Sequence, residues 1–143
     1  MKVTKKNLKR FEQKIDIAVT HAQERGVKFK QGCYGIVIKD GRFLRTGENF
    51  AICPVGAFVL YTPLPEKYMQ MYDWASTTEV ILAFTQEKLN MTREQLDAFI
   101  MGYDKFDSFY SKEDKERIVG EFSMTGQRPF FNLGWSFAEK IFS

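Results

Sequence analysis

Apolar residues recur at intervals of three and four along much of this chain, and this spacing constrains its fold more than any other feature. In an amphipathic helix such residues form one stripe, which is buried against the core. The clearest set spans about 100° of arc and comprises Leu8, Phe11, Ile15, Ala18, Val19 and Ala22. We expect a first helix that Thr4 caps and Gly26 ends.

Helix start signals mark the second half of the chain. Capping-box patterns occur at Ser76 to Glu79 and at Thr92 to Gln95, and a weaker version occurs at Ser111 to Asp114. Each pattern predicts a helix, and the first of these helices, which extends to about Leu89, is apolar on nearly every side. Pro129 suits the first turn of a closing helix.

The β signals are confined to the segment between these helices. Asp40-Gly41 is a tight-turn pair between two short β-like runs, Cys33 to Ile38 and Arg42 to Arg45, and it predicts a hairpin. Residues 50–61 fit either a third strand or a helix from Pro54, and the fixed φ of Pro54 favours the helix. We predict an α+β, mainly helical single domain over residues 1–143, with one β-hairpin, or a small three-stranded antiparallel sheet, at its edge.

The composition is that of a packed protein. Of the 143 residues 44% are hydrophobic and 15% aromatic, which argues against disorder. Neither cysteine lies in a CxxC pair or near the only histidine, so we expect no metal. The glycines match neither phosphate-binding loop pattern, and we expect no cofactor. The N-terminus lacks the apolar stretch of a signal peptide, and the apolar run at 51–61 is shorter than the ~20 residues of a membrane span. We expect a cytoplasmic protein with reduced thiols and no membrane contact.

Positive charge is concentrated at one end of the sequence. The net charge is +3, but residues 1–30 hold nine Lys or Arg against three acidic residues. Lys6, Arg10 and Lys14 form a row at four-residue spacing on the first helix. Such a row is typical of a solvated helix face, and it also suits an anionic ligand, an acidic partner or a phosphate backbone. We interpret these three residues as the candidate anion- or partner-binding site.

Cys53 is the candidate catalytic residue. A cysteine immediately before Pro54 lies at the start of the predicted helix, where free N–H groups and the helix dipole stabilise a thiolate. Its apolar neighbours favour an inert, buried thiol instead. His21, the usual type of partner base, projects away from the apolar stripe and is interpreted as a solvated side chain.

Two further groups have alternative interpretations. The carboxylates between Asp104 and Glu116 are suited to a hard cation or, more simply, to capping helices and turns. The aromatic residues of the last third are suited to base stacking or to core packing. They include Phe106, Phe109, Tyr110, Phe130, Phe131 and Trp135.

Three segments resemble sequences of another group of proteins: Cys53 to Leu60, Leu96 to Asp104, and Asn132 to Ala138. Over residues 40–140 the chain resembles a family of uncharacterised small bacterial and phage proteins, from which Pro54 and Tyr103 depart. No activity is attached to that family. The resemblance implies only that residues 54–61 are helical.

The absence of a catalytic constellation and the positive N-terminal end together favour a small soluble binding protein that is not an enzyme. We expect an accessory factor of bacterial or phage type that engages a host protein, a second copy of itself or a small anionic ligand. The alternative is a thiol-dependent enzyme or redox protein that uses Cys53. A non-specific nucleic-acid binder that uses the basic first helix is the third hypothesis.

Overall fold

The structure is a computed structural model that describes residues 5–39, 42–45, 51–61, 63–72, 76–122 and 127–143. Within these ranges the chain is mainly helical, as predicted. The α-helices are α1 (Lys5–Glu24), α2 (Pro54–Leu60), α3 (Glu66–Tyr72), α4 (Thr77–Leu89), α5 (Arg93–Lys105), α6 (Lys112–Phe122) and α7 (Arg128–Phe142). The strands are β1 (Lys28–Phe29), β2 (Ile36–Lys39), β3 (Arg42–Arg45) and β4 (Ala51–Ile52).

The strands form two small sheets, and this corrects the predicted sheet. β2 pairs with β3 in antiparallel register, with Ile36 opposite Arg45. β1 pairs with β4 in parallel, with Lys28 opposite Ala51, and this pairing was not predicted. The three-stranded antiparallel alternative is wrong for the described strands, because β4 pairs with β1 and not with the β2–β3 pair. The predicted turn at Asp40 and Gly41 lies outside the described residues.

The ends of the first two helices follow their sequence signals. Gly26 has a left-handed φ of 74° just after α1, as predicted. The predicted cap Thr4 lies outside the described residues. Helix α2 begins at Pro54 with Cys53 as its N-cap, which confirms the helix interpretation of this segment. A side chain at Gly56 would overlap the backbone carbonyl of Tyr34, so a glycine is required where α2 meets this loop.

The chain packs as two compact units, one formed by Gln13–Asn90 and the other by the preceding part of α1 together with Met91–Ser143. The single-domain organisation stays a prediction. Among the described residues, no helix combines the length and the apolar character needed to cross a membrane.

In the unit formed by Gln13–Asn90, helix α4 contributes much of the core, as its sequence predicted. The fully buried apolar residues of this unit include Ile15, Ala22, Ile52, Val55, Val59, Val80, Ile81 and Phe84. Thr85 is also buried, and its hydroxyl donates to the carbonyl of Ile81 at 2.8 Å, so this polar group is satisfied.

Helix α3, which the sequence signals did not resolve, is joined to α4 by polar contacts. Lys67 forms an ion pair with Glu87, and the hydroxyl of Tyr68 donates to the same carboxylate. Burial and the adjacent Glu87 raise the pKa of Tyr68. The hydrogen bonds from Lys67 and Tyr68 lower the pKa of Glu87. The Glu87 carboxylate therefore contacts two side chains of α3 from its place on α4.

In the unit that contains Met91–Ser143, helices α5 and α7 pack with their backbones in contact. A Cβ atom at Gly102 would overlap the carbonyl oxygen of Phe131, and one at Gly134 would overlap the carbonyl oxygen of Phe99. Each glycine thus lies against the backbone of the opposite helix. The adjacent ring of Phe99 makes edge contacts with Phe11 at 4.9 Å and with Phe137 at 5.8 Å between centroids.

Reciprocal caps fix the starts of α5 and α6. Thr92 and Gln95 form both hydrogen bonds of a capping box, as predicted. Ser111 and Asp114 do the same, with N···O distances of 3.0 and 3.1 Å. The hydrogen bonds from Ser111 lower the pKa of the Asp114 carboxyl.

We predict that Gly102→Ala and Gly134→Ala each lower the free energy of unfolding by about 2 kcal/mol or more, because the new methyl group forces two helix backbones apart. Gly120→Ala on α6 is the matched control, since nothing lies within 4 Å of the position of its Cβ. That variant should be neutral or up to about 1 kcal/mol more stable. Urea unfolding measures all three, and equal stabilities would contradict the packing described here.

Candidate functional site

The candidate site is a groove between α1 and α2, here named the α1–α2 groove. Its volume is about 370 Å³. Helix α1 presents residues at positions 14, 17, 18 and 21, and α2 with its C-cap presents residues at 57, 58 and 61. The lining residues are Lys14, Ile17, Ala18, His21, Ala57, Phe58 and Tyr61. All of them belong to the unit formed by Gln13–Asn90.

Large apolar side chains are exposed in this groove. Ile17 is 69% exposed and Tyr61 is 47% exposed. Helix α1 buries Ile15 and Val19 in the core. Ile17 lies two positions from each of them, about 160° around the helix, and faces solvent. Together with Phe58, which is half-buried, these residues form a contiguous apolar surface, and such surfaces commonly mark binding sites.

Cationic groups border this surface. Arg25 donates from Nη1 to Nδ1 of His21 at 2.9 Å. The Arg25 guanidinium also lies over the Tyr61 ring, 5.6 Å from its centroid, and the His21 ring meets Tyr61 edge-on at 4.9 Å. These contacts hold the Tyr61 ring in place. Lys14 supplies a second positive charge at the groove. The groove therefore suits a ligand that combines apolar groups with negative charge.

The structure brings only part of the predicted basic row to this groove. Lys14 lines it, as given above. Arg10 is exposed on the same helix, outside the groove. The side chain of Lys6 lies outside the described residues.

Cys53 occupies the helix start that the sequence predicted, but it is buried. Its side chain is 5% exposed, and Sγ accepts a hydrogen bond from the backbone N–H of Gly56 at 3.4 Å. His21 is engaged with Arg25 and Tyr61, as described above. The burial of Cys53 favours the inert interpretation of its thiol.

The other candidate residues have structural roles. Phe106, Phe130, Phe131 and Trp135 are buried, so core packing is confirmed for these four; Phe109 and Tyr110 are exposed. Among the carboxylates, Asp107 accepts from the N–H of Phe109 at 2.9 Å, which confirms its interpretation as a turn residue. In the part of the chain that the structure describes, no cluster of His, Cys, Asp and Glu could hold a metal ion.

Two features were missed at the sequence level. Ile17 carried a usable signal, since it is a large aliphatic residue that falls outside the buried stripe of α1. Lys112 and Lys115 on α6, together with Arg128 on α7, line a second cleft. Their grouping depends on how the two helices pack, so the sequence held no direct signal for it.

Comparison of the chain with protein-family models, with curated proteins and with solved structures finds no match. The resemblance to small bacterial and phage proteins therefore stays a prediction. The geometry of the α1–α2 groove is the basis on which a function can be proposed.

We predict that Cys33 reacts with iodoacetamide faster than Cys53 in the folded protein, by about tenfold or more, because modification of a buried thiol requires local opening. Cys33 is half-buried, and its thiol contacts the carbonyl of Ala51 at 3.5 Å. Mass spectrometry of each labelled peptide at neutral pH gives the two rates, and the same reaction in urea is the control. A faster Cys53 in the folded protein would instead favour the thiol-enzyme alternative.

Proposed function

We propose that this protein is a non-enzymatic binding protein whose α1–α2 groove receives an amphipathic, acidic helix of a partner protein. The observation that carries the proposal is the exposure of Ile17, a large aliphatic side chain that lines the groove and is 69% exposed. Burial of one such side chain contributes roughly 1.5–3 kcal/mol. The ring of Tyr61 offers a second anchor beside it.

The shape of the groove supports a helical occupant. It is an open depression between two helices, with apolar side chains from both. Docking of the apolar face of an amphipathic helix into such a surface is a common mode of peptide recognition, in which residues at three- and four-residue intervals fill the groove. Small ligands, by contrast, bind in enclosed cavities that bury most of their surface.

The charges at the groove support an acidic occupant. Lys14 lines the groove, and Arg25 lies over the Tyr61 ring at its end. A partner with carboxylates flanking its apolar face would pair with these cations, and a basic partner would be repelled. The remaining positive charge of α1, including the exposed Arg10, would speed the approach of such a partner.

We place this function in the cytoplasm. Both cysteines are free thiols, and reduced thiols are the normal state in that compartment. The proposal includes the bacterial or phage accessory role that the sequence resemblance suggests, with a host protein as the partner.

The experiment is site-specific photo-crosslinking in cells. A benzophenone amino acid replaces Ile17 or Tyr61 in two separate variants, and it replaces Gln23, an exposed residue of α1 outside the groove, in the control. Adducts with another protein are expected from positions 17 and 61 but not from position 23. Mass spectrometry of each adduct should place the attachment within an amphipathic segment rich in Asp and Glu.

Substitutions of groove residues test whether the adducts depend on the groove. Ile17→Ser should lower the yield of the adduct at position 61 by about tenfold, since loss of one buried aliphatic anchor removes at least ~1.4 kcal/mol. Lys14→Glu should lower it through charge repulsion. Equal adducts from all three positions, or adducts only with a second copy of this chain, would contradict the proposed partner.

A further inference from the structure

Helices α6 and α7 line a second cleft, here named the α6–α7 cleft, which lies in the unit containing Met91–Ser143 and has a volume of about 450 Å³. Residues at intervals of three and four on α6 face two residues on α7 that are one turn apart. The lining residues are Lys112, Lys115, Glu116, Val119, Arg128 and Asn132. The volume lies within the range of about 300–1,000 Å³ that is typical of small-molecule sites.

Positive charge exceeds negative charge in the lining of the cleft. Three cations and one carboxylate line it. Two arginines of the same unit that lie outside the cleft lining are paired: Arg93 lies 3.0 Å from Asp97, and Arg117 lies within 4 Å of both Asp114 and Glu121. Among the described residues, no ion pair involves Lys112, Lys115 or Arg128. A concave surface with unpaired cations attracts anions.

An aromatic wall adjoins these cations. A neighbouring cavity of about 390 Å³ shares Lys112 and Lys115 with the cleft. Its lining also includes the rings of Tyr110 and Trp135 and the carboxylates of Asp107 and Glu139. The ammonium of Lys115 lies 5.9 Å from the centroid of the Trp135 ring. Tyr110 stacks on the same ring, at 6.0 Å and an interplanar angle of 20°. These contacts hold Lys115 where the two cavities meet.

We propose that the α6–α7 cleft is a binding site for a small phosphate-bearing molecule. The guanidinium of Arg128 can donate two parallel hydrogen bonds to phosphate oxygens, and the two lysines supply further donors and charge. The Asn132 amide adds a neutral donor. Glu116 accepts hydrogen bonds from hydroxyl groups on the rest of the ligand, which favours a phosphorylated polyol or sugar over a bare phosphate ion. This site is separate from the α1–α2 groove and does not depend on the function proposed for it.

Isothermal titration calorimetry of the full chain with ribose 5-phosphate, inorganic phosphate and ribose tests the site. Ribose 5-phosphate should bind more tightly than inorganic phosphate, and ribose should give no binding. Arg128→Gln and Lys112→Gln should each weaken the binding of ribose 5-phosphate by about tenfold or more, because a hydrogen bond between charged groups contributes about 1.5–3 kcal/mol.

Arg117→Gln is the matched control. This variant removes one positive charge from α6, but Arg117 lies outside the cleft lining. The affinity of the variant for ribose 5-phosphate should therefore stay within about twofold of that of the wild type. Circular dichroism melting of each variant checks that the fold is intact. Absence of binding by both phosphate compounds would overturn the proposal, as would an equal loss of affinity in Arg117→Gln.

Discussion

Direct contact between the backbones of α5 and α7 is the constraint on which much of the unit containing Met91–Ser143 depends. Gly102 and Gly134 each lie against the main chain of the opposite helix, where any side chain would overlap a carbonyl oxygen. This close approach sets how α7 lies on α5. Arg128, Asn132 and Trp135 lie on α7. The packing of α7 on α5 therefore also positions the α6–α7 cleft and the aromatic side chains beside it.

Several local features could be predicted from the sequence because their causes are local. Thr92 and Gln95 satisfy each other's backbone groups within one turn, and Gly26 adopts the left-handed conformation that ends α1. Pro54 starts α2 because its fixed φ and its missing N–H suit the first position of a helix. The parallel pairing of β1 with β4 was missed, because it joins strands separated by more than twenty residues and has no signature in either strand alone.

The candidate sites were harder to predict than the helices. A basic row on α1 was visible, but only Lys14 of that row lines the α1–α2 groove. Phe58 and Tyr61 reach the groove because α2 packs beside α1, and nothing in either helix alone determines that arrangement. The position of Cys53 at a helix start was predicted correctly, yet its reactivity depends on burial, which is a property of the packed core.

The exposed apolar groups of α1 and α2 are proposed to contact a partner, and the most direct test maps where that partner binds. The measurement is a ¹⁵N NMR titration of the protein with the partner segment identified by the adduct at position 17. Amide shifts are expected to be concentrated in residues 14–25 and 55–61, whereas the amides of residues 112–122 and 130–135 should be unchanged. Shifts confined to the α6–α7 cleft, or spread evenly over the chain, would contradict it.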